Sequence, residues 1–344
     1  MGKTGIGIVG FGAIARTHVT TLRACDDAAI MGVLDPSPAA RAAAEQEGLR
    51  AFSSEDAFFA APGLDGVILA SPNQLHAAGA IACIQRGKPV LIEKPVSDTV
   101  AGGQAILAAE RAHGTAVLVG HHRRHNPLLA KARDIVRSGR IGAVTAIVGL
   151  TLFRKPDDYF DVAWRREAGG GPVLINLIHD IDDLRFICGE IAAVESMTSS
   201  ARRGFPVEDT AAVIARFESG ALATIIVSDA AAAPWSWELT SGENPIYPQQ
   251  PENCYLIAGT RGSLTIPKLE LWHYGGALGW HAPLLRETLD VPPEEPFRRQ
   301  LRHFIDVIHG RAKPLVTVAD ALRTLEVTLA IQTGTRGPVA AGQD

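Results

Sequence analysis

The residues Gly5–Ala15 read GIGIVGFGAIA and join a short apolar strand to the start of a helix through the pattern G-x-G-x-x-A. Glycines at such a turn allow backbone N–H groups to approach a pyrophosphate at the helix N-terminus. Asp35 ends the second predicted strand about 20 residues further on, where a carboxylate can accept hydrogen bonds from ribose hydroxyls. These features together favour a dinucleotide site over an ordinary strand–helix turn. Its predicted residues are Gly10, Phe11, Gly12, Ala13, Ile14 and Asp35.

Asp35 also predicts which dinucleotide is bound. Its carboxylate would repel a 2′-phosphate, so NAD is favoured over NADP. Arg41 is the nearest cation and is expected to be a solvated helix residue. A rearrangement of Pro36-Ser37-Pro38 that admits a phosphate is the alternative that the sequence leaves open.

The first 120 residues alternate short aliphatic runs with longer Ala-rich stretches of helical spacing, which is the pattern of repeated βαβ units. An α/β fold with an N-terminal, doubly wound parallel sheet of the Rossmann type follows for residues 1–120. Strands are predicted near Gly5–Gly10, Ala29–Leu34, Gly66–Ala70, Val90–Ile92 and Ala116–Gly120. Helices are predicted near Ile14–Cys25, Pro38–Gly48, Gln74–Arg86 and Thr99–His113.

Residues 121–344 carry longer alternating runs, which predict a second α/β domain on an open, mostly antiparallel sheet. Its strands are predicted near Thr145–Phe153, Ala211–Phe217, Ala221–Ser228 and Cys254–Ile257, with an apolar helix over Val173–Cys188. Helices near Glu294–His309 and Val318–Gln332 close the chain, and the terminal helix is expected to pack back on the first domain. The segment Ala230–Pro251 is rich in Pro, Trp, Ser and Asn and is expected to form a lid or contact loop.

Composition excludes several classes of protein. A length of 344 residues predicts two domains, and 47% hydrophobic with 20% charged residues indicates a globular chain. The 33 basic and 37 acidic residues give a net charge of −4 without a block of like charge, which argues against nucleic-acid or polybasic membrane binding. No apolar run reaches membrane-spanning length. Four scattered cysteines without CxxC spacing predict reduced thiols in the cytoplasm and no metal, with a small molecule as the partner.

Two segments carry the most specific motifs, Ser71-Pro72-Asn73-Gln74-Leu75-His76 and Glu93-Lys94-Pro95. Arg123-Arg124, Trp164-Arg165, the run Gly169–Gly171, and His179 with Asp182 follow in order. In these motifs the chain resembles the Gfo/Idh/MocA oxidoreductases over nearly its whole length. The resemblance implies a Rossmann domain, a C-terminal domain on an open antiparallel sheet, and a nicotinamide ring between them.

The resemblance also implies roles for individual residues. Lys94 would reach the nicotinamide ribose and the substrate, and His179 would transfer the proton. Further cofactor contacts are implied for Ser71, Pro72, Asn73, His76, Glu93, Lys94, Arg123, Trp164 and Arg165. Substrate contacts are implied for Lys94, His121, Arg123, Asn176 and His179.

The chemistry of alcohol oxidation supports the choice of His179. A proton must leave the hydroxyl as hydride leaves carbon, and histidine titrates near neutral pH. Asn176, Asp182 and Asp183 share its predicted helix face and could orient it, although a histidine hydrogen-bonded inside the core fits the pattern equally well. The chain departs from the family at Ile175, where many members have an aspartate. The adjacent Asn176 can bind a substrate hydroxyl but carries no charge.

Cationic residues near the predicted site leave the charge of the substrate open. If several face the substrate, a sugar acid or carboxylated dihydrodiol is favoured; if they are solvated or form ion pairs, a neutral polyol is. Arg165 is the strongest candidate for a ligand contact. The set comprises His121, His122, Arg123, Arg124, Arg154, Lys155, Arg165 and Arg166.

Three functions remain open on the sequence alone. The first is an NAD-dependent dehydrogenase acting on a secondary alcohol of a sugar, polyol, sugar acid or cyclic dihydrodiol. The second is a glycoside hydrolase or lyase that retains NAD and uses transient oxidation, and the third is an NAD-sensing protein without turnover. The predicted strands of the second domain carry more apolar residues than one helix layer covers, so a homodimer or homotetramer through that sheet is expected.

Overall fold

The computed structural model describes residues 2–334 and 337–338. The chain forms two compact units. The first runs to His125 and also includes Glu295–Leu325, and the second includes Asn126–Glu294 and the described residues from Glu326 onward. None of the helices in the described residues is both long and apolar enough to cross a membrane.

The first unit is built on a parallel sheet with the strand order β3-β2-β1-β4-β5-β6. Its buried strands are almost entirely apolar, as expected when helices cover both faces of a sheet. The strands are β1 (Thr4–Val9), β2 (Ala28–Leu34), β3 (Ala51–Phe52), β4 (Gly66–Leu69), β5 (Val90–Glu93) and β6 (Val117–Gly120). The helices are α1 (Ala13–Arg23), α2 (Pro38–Gln46), α3 (Glu55–Phe59), α4 (His76–Gln85) and α5 (Val100–His113).

The strand order reverses direction at β1. The chain leaves β1 for β2 on one side and later returns to β4 on the other, so β1 and β4 are neighbours. In open parallel sheets, ligands bind outside the carboxyl ends of the strands at such a switch point. The fold thus places the loops that follow β1 and β4 side by side.

The second unit is built on a mostly antiparallel sheet with the order β14-β13-β12-β11-β7-β10-β9-β8-β15. The pair β7 and β10 is parallel. The strands are β7 (Val144–Leu152), β8 (Ile191–Ser199), β9 (Thr210–Phe217), β10 (Leu222–Ser228), β11 (Tyr255–Gly259), β12 (Gly262–Ile266), β13 (Glu270–Tyr274), β14 (Leu284–Thr288) and β15 (Gly337–Pro338). Its helices are α6 (Pro127–Arg137), α7 (Ile178–Cys188) and α8 (Trp237–Thr240).

One face of this sheet carries the core of the second unit. Leu177, Ile181 and Leu184 pack with the inward-facing residues of the central strands in one apolar cluster. Along β9 the alternate residues Ala211, Val213, Ala215 and Phe217 are buried, and the residues between them are exposed. This period of two fixes which face of the sheet receives the helices.

The last two helices are α9 (Pro296–Ile308) and α10 (Val318–Thr333). The predicted boundary after residue 120 assigned Glu295–Leu325 to the second domain, apart from a returning terminal helix. The structure corrects this, because all of α9 and the first half of α10 belong to the first unit. Gly66 explains why α9 fits there: a Cβ at this position would lie 2.6 Å from Ile308 Cδ1 and 3.3 Å from Phe304 Cζ.

Several elements differ from those predicted. Helix α6 and strand β8 were not predicted, nor were β3, α3 and β12–β14. The predicted helix over Val173–Cys188 begins with a π-helical turn, Val173–Leu177, before α7. The segment Ala230–Pro251, expected to form a lid or contact loop, is anchored in the second unit, where α8 buries Trp237 and Glu243 accepts a hydrogen bond from Asn126 at 2.8 Å.

Candidate functional site

The glycine loop after β1 packs closely against the loop after β4. Gly10 has φ +89°, and a Cβ there would lie 2.7 Å from the carbonyl oxygen of Ala70 and 2.8 Å from the Cα of Ser71. Only glycine tolerates both this conformation and this approach. Gly12 precedes α1, and a Cβ there would meet nothing within 4 Å. The N-terminus of α1 is therefore open on the side where a phosphate would approach.

Asp35 is buried at the end of β2 and holds the glycine loop. Its Oδ2 accepts a hydrogen bond from Phe11 N at 2.9 Å, and its Oδ1 accepts one from Ser37 N at 2.8 Å. Arg41 is not simply a solvated helix residue, because its guanidinium donates to the carbonyl oxygens of Asp35 and Pro36 at 2.9 and 2.8 Å. The two oxygens of Asp35 still have lone pairs available for ribose hydroxyls.

The loop after β4 contains the P-N-x-x-H segment. Ser71 Oγ is buried and has no hydrogen-bond partner among the described residues. His76 is buried, with Nε2 2.9 Å from the carbonyl oxygen of Ser71 and Nδ1 2.7 Å from that of Pro95. Burial lowers the pKa of His76, although the two carbonyls oppose the shift. The His76 ring thus lies between the loops after β4 and β5, and its cofactor contact stays a prediction.

Glu93 and Lys94 lie where β5 ends. Lys94 is half-buried, and Glu93 is buried beside His18 of α1, with Glu93 Oε1 2.7 Å from His18 Nε2. The other oxygen, Oε2, accepts a hydrogen bond from Lys94 N at 3.2 Å. Each carboxylate oxygen of Glu93 thus takes part in one hydrogen bond within the protein and keeps a lone pair, and its cofactor contact stays a prediction.

The segment after β6 is largely buried and partly structural. Arg124 forms a two-point ion pair with Asp320 of α10. His122 stacks on Phe297 of α9 with ring centroids 4.3 Å apart. His121 and Arg123 are also buried. The Arg124 pairing removes one cation from those that could receive an anionic substrate.

In the second unit the glycine run allows two close approaches. A Cβ at Gly170 would lie 2.3 Å from the carbonyl oxygen of Trp164, and one at Gly171 would lie 2.2 Å from Glu208 Oε1. Glu208 Oε1 in turn accepts a hydrogen bond from Val173 N at 3.1 Å, at the start of the π-helical turn. Burial raises the pKa of Glu208, opposed by its backbone hydrogen bonds. Glu208 therefore fixes the beginning of the helical segment that carries His179.

His179 is buried in the first turn of α7. Asn176 precedes it in the π-helical turn, a distortion that is frequent at functional sites. The Oδ1 of Asn176 is buried and has no hydrogen-bond partner in the part of the chain that the structure describes. This amide is therefore a candidate for binding a substrate hydroxyl.

Two acidic residues next to His179 bind a tyrosine that sequence reasoning missed. The hydroxyl of Tyr255 on β11 forms hydrogen bonds with Asp180 and Asp183, the latter at 3.0 Å to Oδ2. Asp183, expected to orient His179, thus also anchors α7 to the sheet. No sequence pattern predicts this pairing, because the residues lie 72 positions apart.

Two of the remaining candidate cations, Lys155 and Arg154, form ion pairs. Lys155 lies 3.5 Å from Asp229, and burial lowers its pKa. Arg154 is exposed and pairs with Asp157 at 3.1 Å. Arg165 donates to the carbonyl oxygen of Tyr159 at 2.7 Å and lies 3.9 Å over its ring. Trp164 and Arg166 are exposed.

The first unit fits a dinucleotide. The first N–H groups of α1 have no intrahelical partner, and within the described residues no side chain caps them. The open side of Gly12 and the unsatisfied Ser71 Oγ adjoin this helix end and the loop packed on Gly10. The described residues contain no group of three or more His, Cys, Asp or Glu side chains placed to hold a metal ion.

Comparisons with known proteins identify the family. Residues 4–121 match the model of an oxidoreductase family with an NAD-binding Rossmann fold, and residues 129–265 match the GFO/IDH/MocA C-terminal domain. The chain belongs to the Gfo/Idh/MocA family of NAD-binding oxidoreductases. The predicted family, α/β fold class and cofactor are therefore confirmed.

Individual relatives are moderately similar. The chain is 26% identical over 332 residues to 1,5-anhydro-D-fructose reductase of Ensifer adhaerens, covering 94% of each chain. It is 30% identical to myo-inositol 2-dehydrogenase of Thermotoga maritima, covering 64% of this chain and 67% of the relative. Among solved structures, the WlbA dehydrogenase of Bordetella pertussis with NADH and UDP-GlcNAcA has a TM-score of 0.79 at 25% identity, covering 99% of this chain and all of that one.

Proposed function

We propose that this protein is an NAD-dependent dehydrogenase that interconverts a secondary alcohol of a sugar or polyol and the corresponding ketone. The names of its relatives support this class, since they are reductases and dehydrogenases of anhydrofructose and inositols. Lys94 and His179 are the proposed catalytic residues.

The observation that carries the proposal is the placement of Lys94 in the parallel sheet. The loops after β1 and β4 adjoin at the switch point, and Lys94 follows β5, the next strand along the sheet. All three loops lie at the same edge, because parallel strands end together. An ammonium group held at the edge where the dinucleotide is expected is suited to contact the cofactor or its substrate.

Each chain residue has a defined task in this proposal. NAD held by the glycine loop and Asp35 would supply the hydride chemistry. His179 takes the proton from the substrate hydroxyl during oxidation and returns it to the carbonyl oxygen during reduction. Lys94 donates a hydrogen bond to the same oxygen and stabilises the negative charge that develops on it. Asn176 binds a neighbouring hydroxyl in place of the aspartate that Ile175 replaces.

The ion pairs favour a neutral substrate over an anionic one. Arg124, Lys155 and Arg154 are each matched by a carboxylate within their own unit. A carboxylated substrate would have to compete with these carboxylates for the cations. We therefore propose a neutral sugar or polyol as the first substrates to try, with sugar acids and cyclic dihydrodiols as the second group.

The test is an absorbance assay for NADH with purified protein and NAD. The panel contains inositols, aldoses and anhydro sugars, each paired with the matching uronic or aldonic acid where one exists. We expect the protein to form NADH with at least one neutral compound of the panel. The His179→Ala variant should form no NADH with that compound. Product without net NADH would favour a hydrolase or lyase that retains NAD. NAD binding with no product from any member would favour the NAD sensor.

We also propose that the protein forms a homodimer or homotetramer through the outer face of the second unit's sheet. Met197 is 81% exposed and Ile214 58% exposed on this face, and Leu222 and Leu256 are exposed beside them. The strand registers place all four on the face opposite the helices. Exposed apolar surface of this kind marks an interaction site.

We propose a cytoplasmic location because the four cysteines, all within the described residues, form no disulfide bond. Cys25, Cys83, Cys188 and Cys254 are all free thiols. Burial raises the pKa of Cys83 and of Cys188 to about 12 each, which makes both thiols unreactive. Unpaired thiols are typical of a reducing compartment.

A further inference from the structure

A buried acid–base pair lies directly beneath Lys94. His18 of α1 is 3% exposed and Glu93 at the end of β5 is 4% exposed, and their polar atoms are 2.7 Å apart. Removing a carboxylate and an imidazole from water is unfavourable unless each satisfies the other. A pair kept at this depth, next to a proposed catalytic residue, therefore calls for a functional explanation.

Glu93 is ionised in this pair. Burial alone would raise its pKa, but the hydrogen bond with His18 and the electrostatic interaction with that ring outweigh burial. Lys94 shifts the pKa of Glu93 in the same direction, and the net pKa lies below the ordinary value. The ionised carboxylate makes His18 the hydrogen-bond donor, through Nε2.

The main chain at Lys94 is fixed on both sides. On one side, Glu93 Oε2 accepts the hydrogen bond from Lys94 N at 3.2 Å. On the other, the carbonyl oxygen of Pro95 lies 2.7 Å from His76 Nδ1. The direction in which the Lys94 side chain leaves the backbone therefore depends on where the Glu93 carboxylate is held.

His18 also connects this carboxylate to other elements of the first unit. It belongs to α1, the helix that begins at the glycine loop. Its ring contacts the ring of Phe297 in α9 edge-on, with centroids 5.6 Å apart, and Phe297 stacks on His122. The packing of α1 against α9 thus fixes the position of the His18 ring. The short hydrogen bond between His18 and Glu93 in turn fixes the position of the Glu93 carboxylate.

We infer that His18 is a positioning residue for Lys94, acting through the Glu93 carboxylate. This inference rests on the proposed function, since it assumes that Lys94 is catalytic. Loss of the donor would leave a buried carboxylate without its partner, and burial then favours its protonated form. Protonation removes the negative charge beside Lys94 and alters the hydrogen bond that Glu93 accepts from Lys94 N.

Two substitutions at His18 separate its hydrogen bond from its packing. His18→Gln keeps an N–H donor near Glu93, and His18→Phe keeps a ring against Phe297 but has no donor. We expect His18→Phe to lower kcat by about tenfold or more through misplacement of Lys94. We expect His18→Gln to restore most of kcat, because it keeps a donor for the Glu93 carboxylate. Equal kcat in the two variants would overturn the inference.

A second readout does not depend on turnover. Limiting acetic anhydride acetylates an uncharged amine, and peptide mass spectrometry compares Lys94 with the exposed Lys131 in the same sample. We expect relative acetylation of Lys94 to rise in His18→Phe, which loses the neighbouring negative charge, and to match the parent protein in His18→Gln. Unchanged acetylation of Lys94 in His18→Phe would refute the inference.

If His18→Phe does not fold, Glu93→Gln replaces it in the acetylation experiment. It removes the charge while keeping the side-chain shape, so acetylation of Lys94 should rise as well, and no rise would contradict the inference. If the unsubstituted protein forms no NADH with any compound of the panel, this result would instead count against the proposed dehydrogenase activity. The acetylation ratio would still decide the role of His18.

Discussion

Asp35 holds the glycine loop by its side chain, with Oδ2 2.9 Å from the backbone nitrogen of Phe11. The residue expected to bind the cofactor ribose therefore also shapes the loop expected to receive the pyrophosphate. Its second oxygen accepts a hydrogen bond from Ser37 N, and the Ser37 side chain caps the start of the next helix. The two parts of the dinucleotide site depend on one carboxylate.

Asp35→Asn should weaken NAD binding by about tenfold or more, because an amide replaces one charged acceptor with a donor. NADP binding should weaken less or improve, since the repulsion toward a 2′-phosphate is gone. Fluorescence titration with NADH and NADPH measures both. Asp65→Asn is the matched control, because Asp65 also binds a backbone nitrogen of β1, at Gly5, but precedes β4. Equal weakening in the two variants would remove Asp35 from the cofactor site.

His179→Asn should lower kcat by about 10²–10⁴-fold, the usual effect of losing a positioned general base. Cofactor affinity should not change, because His179 is not among the cofactor residues. Steady-state kinetics with the best substrate and NADH titration measure the two quantities. A near-normal kcat would show that another group moves the proton.

Gly171→Ala should destabilise the protein by about 1–3 kcal/mol, because the added Cβ displaces the Glu208 carboxylate and leaves Val173 N without its acceptor. Denaturant unfolding of Gly171→Ala, Glu208→Ala and the double variant forms a cycle. We expect the double variant to be no less stable than Gly171→Ala, since the clash is then absent. Strict additivity would mean that the two residues act independently.

Stability should fall in acid through His125. Burial lowers the pKa of this ring to about 3, with nearby His303 adding to the shift, from an ordinary value of 6.5. Only the unfolded chain then binds the proton between these values, so stability is intact above pH 6.5 and is lost as the pH falls toward 3, by up to about 1.4 kcal/mol per pH unit.

The measurement is the free energy of unfolding in urea at a series of pH values from about 7.5 down to about 5. The series stops at the pH where unfolding is no longer two-state. His125→Asn should flatten the dependence of the unfolding free energy on pH. His113→Asn, which changes an exposed histidine in the same unit, should leave it as it is. A slope unaffected by His125→Asn would exclude this residue as a source of acid sensitivity.

Ile214→Glu should convert the proposed oligomer to monomers, because it places a charge in the middle of the exposed apolar face. Light scattering at micromolar concentration reports the mass. Ile246→Glu is the control, since Ile246 is 74% exposed but lies outside the sheet. A monomeric parent protein would refute the proposed interface.

The elements that local sequence specifies were predicted well. Strand β1 and helix α1 lie within two residues of their predicted bounds at each end, because the glycine turn between them is a local feature. Helix α6 was missed although Asn126 caps it and Pro127 begins it, a start signal that the sequence does contain. Strand β8 was missed because several of its residues are polar and exposed on both faces.

The supporting residues of the candidate site were less accessible to sequence reasoning. Lys94 and His179 lie within motifs, but their neighbours Glu208, Tyr255 and His18 act through pairings across 35 to 75 positions. Such pairings depend on the tertiary fold and leave no local periodicity. Glu93 shows the limit of motif reasoning, since its motif does not reveal that it pairs with His18.

The position of α9 late in the sequence affects the order in which the first unit can fold during synthesis. The parallel sheet is fully translated once Gly120 has been added, yet the helix that covers Gly66 begins only at Pro296. A ribosome therefore completes Asn126–Glu294 while the surface under Phe304 and Ile308 is still bare. The first unit therefore cannot complete its packing until α9 has been synthesised, after the whole of Asn126–Glu294.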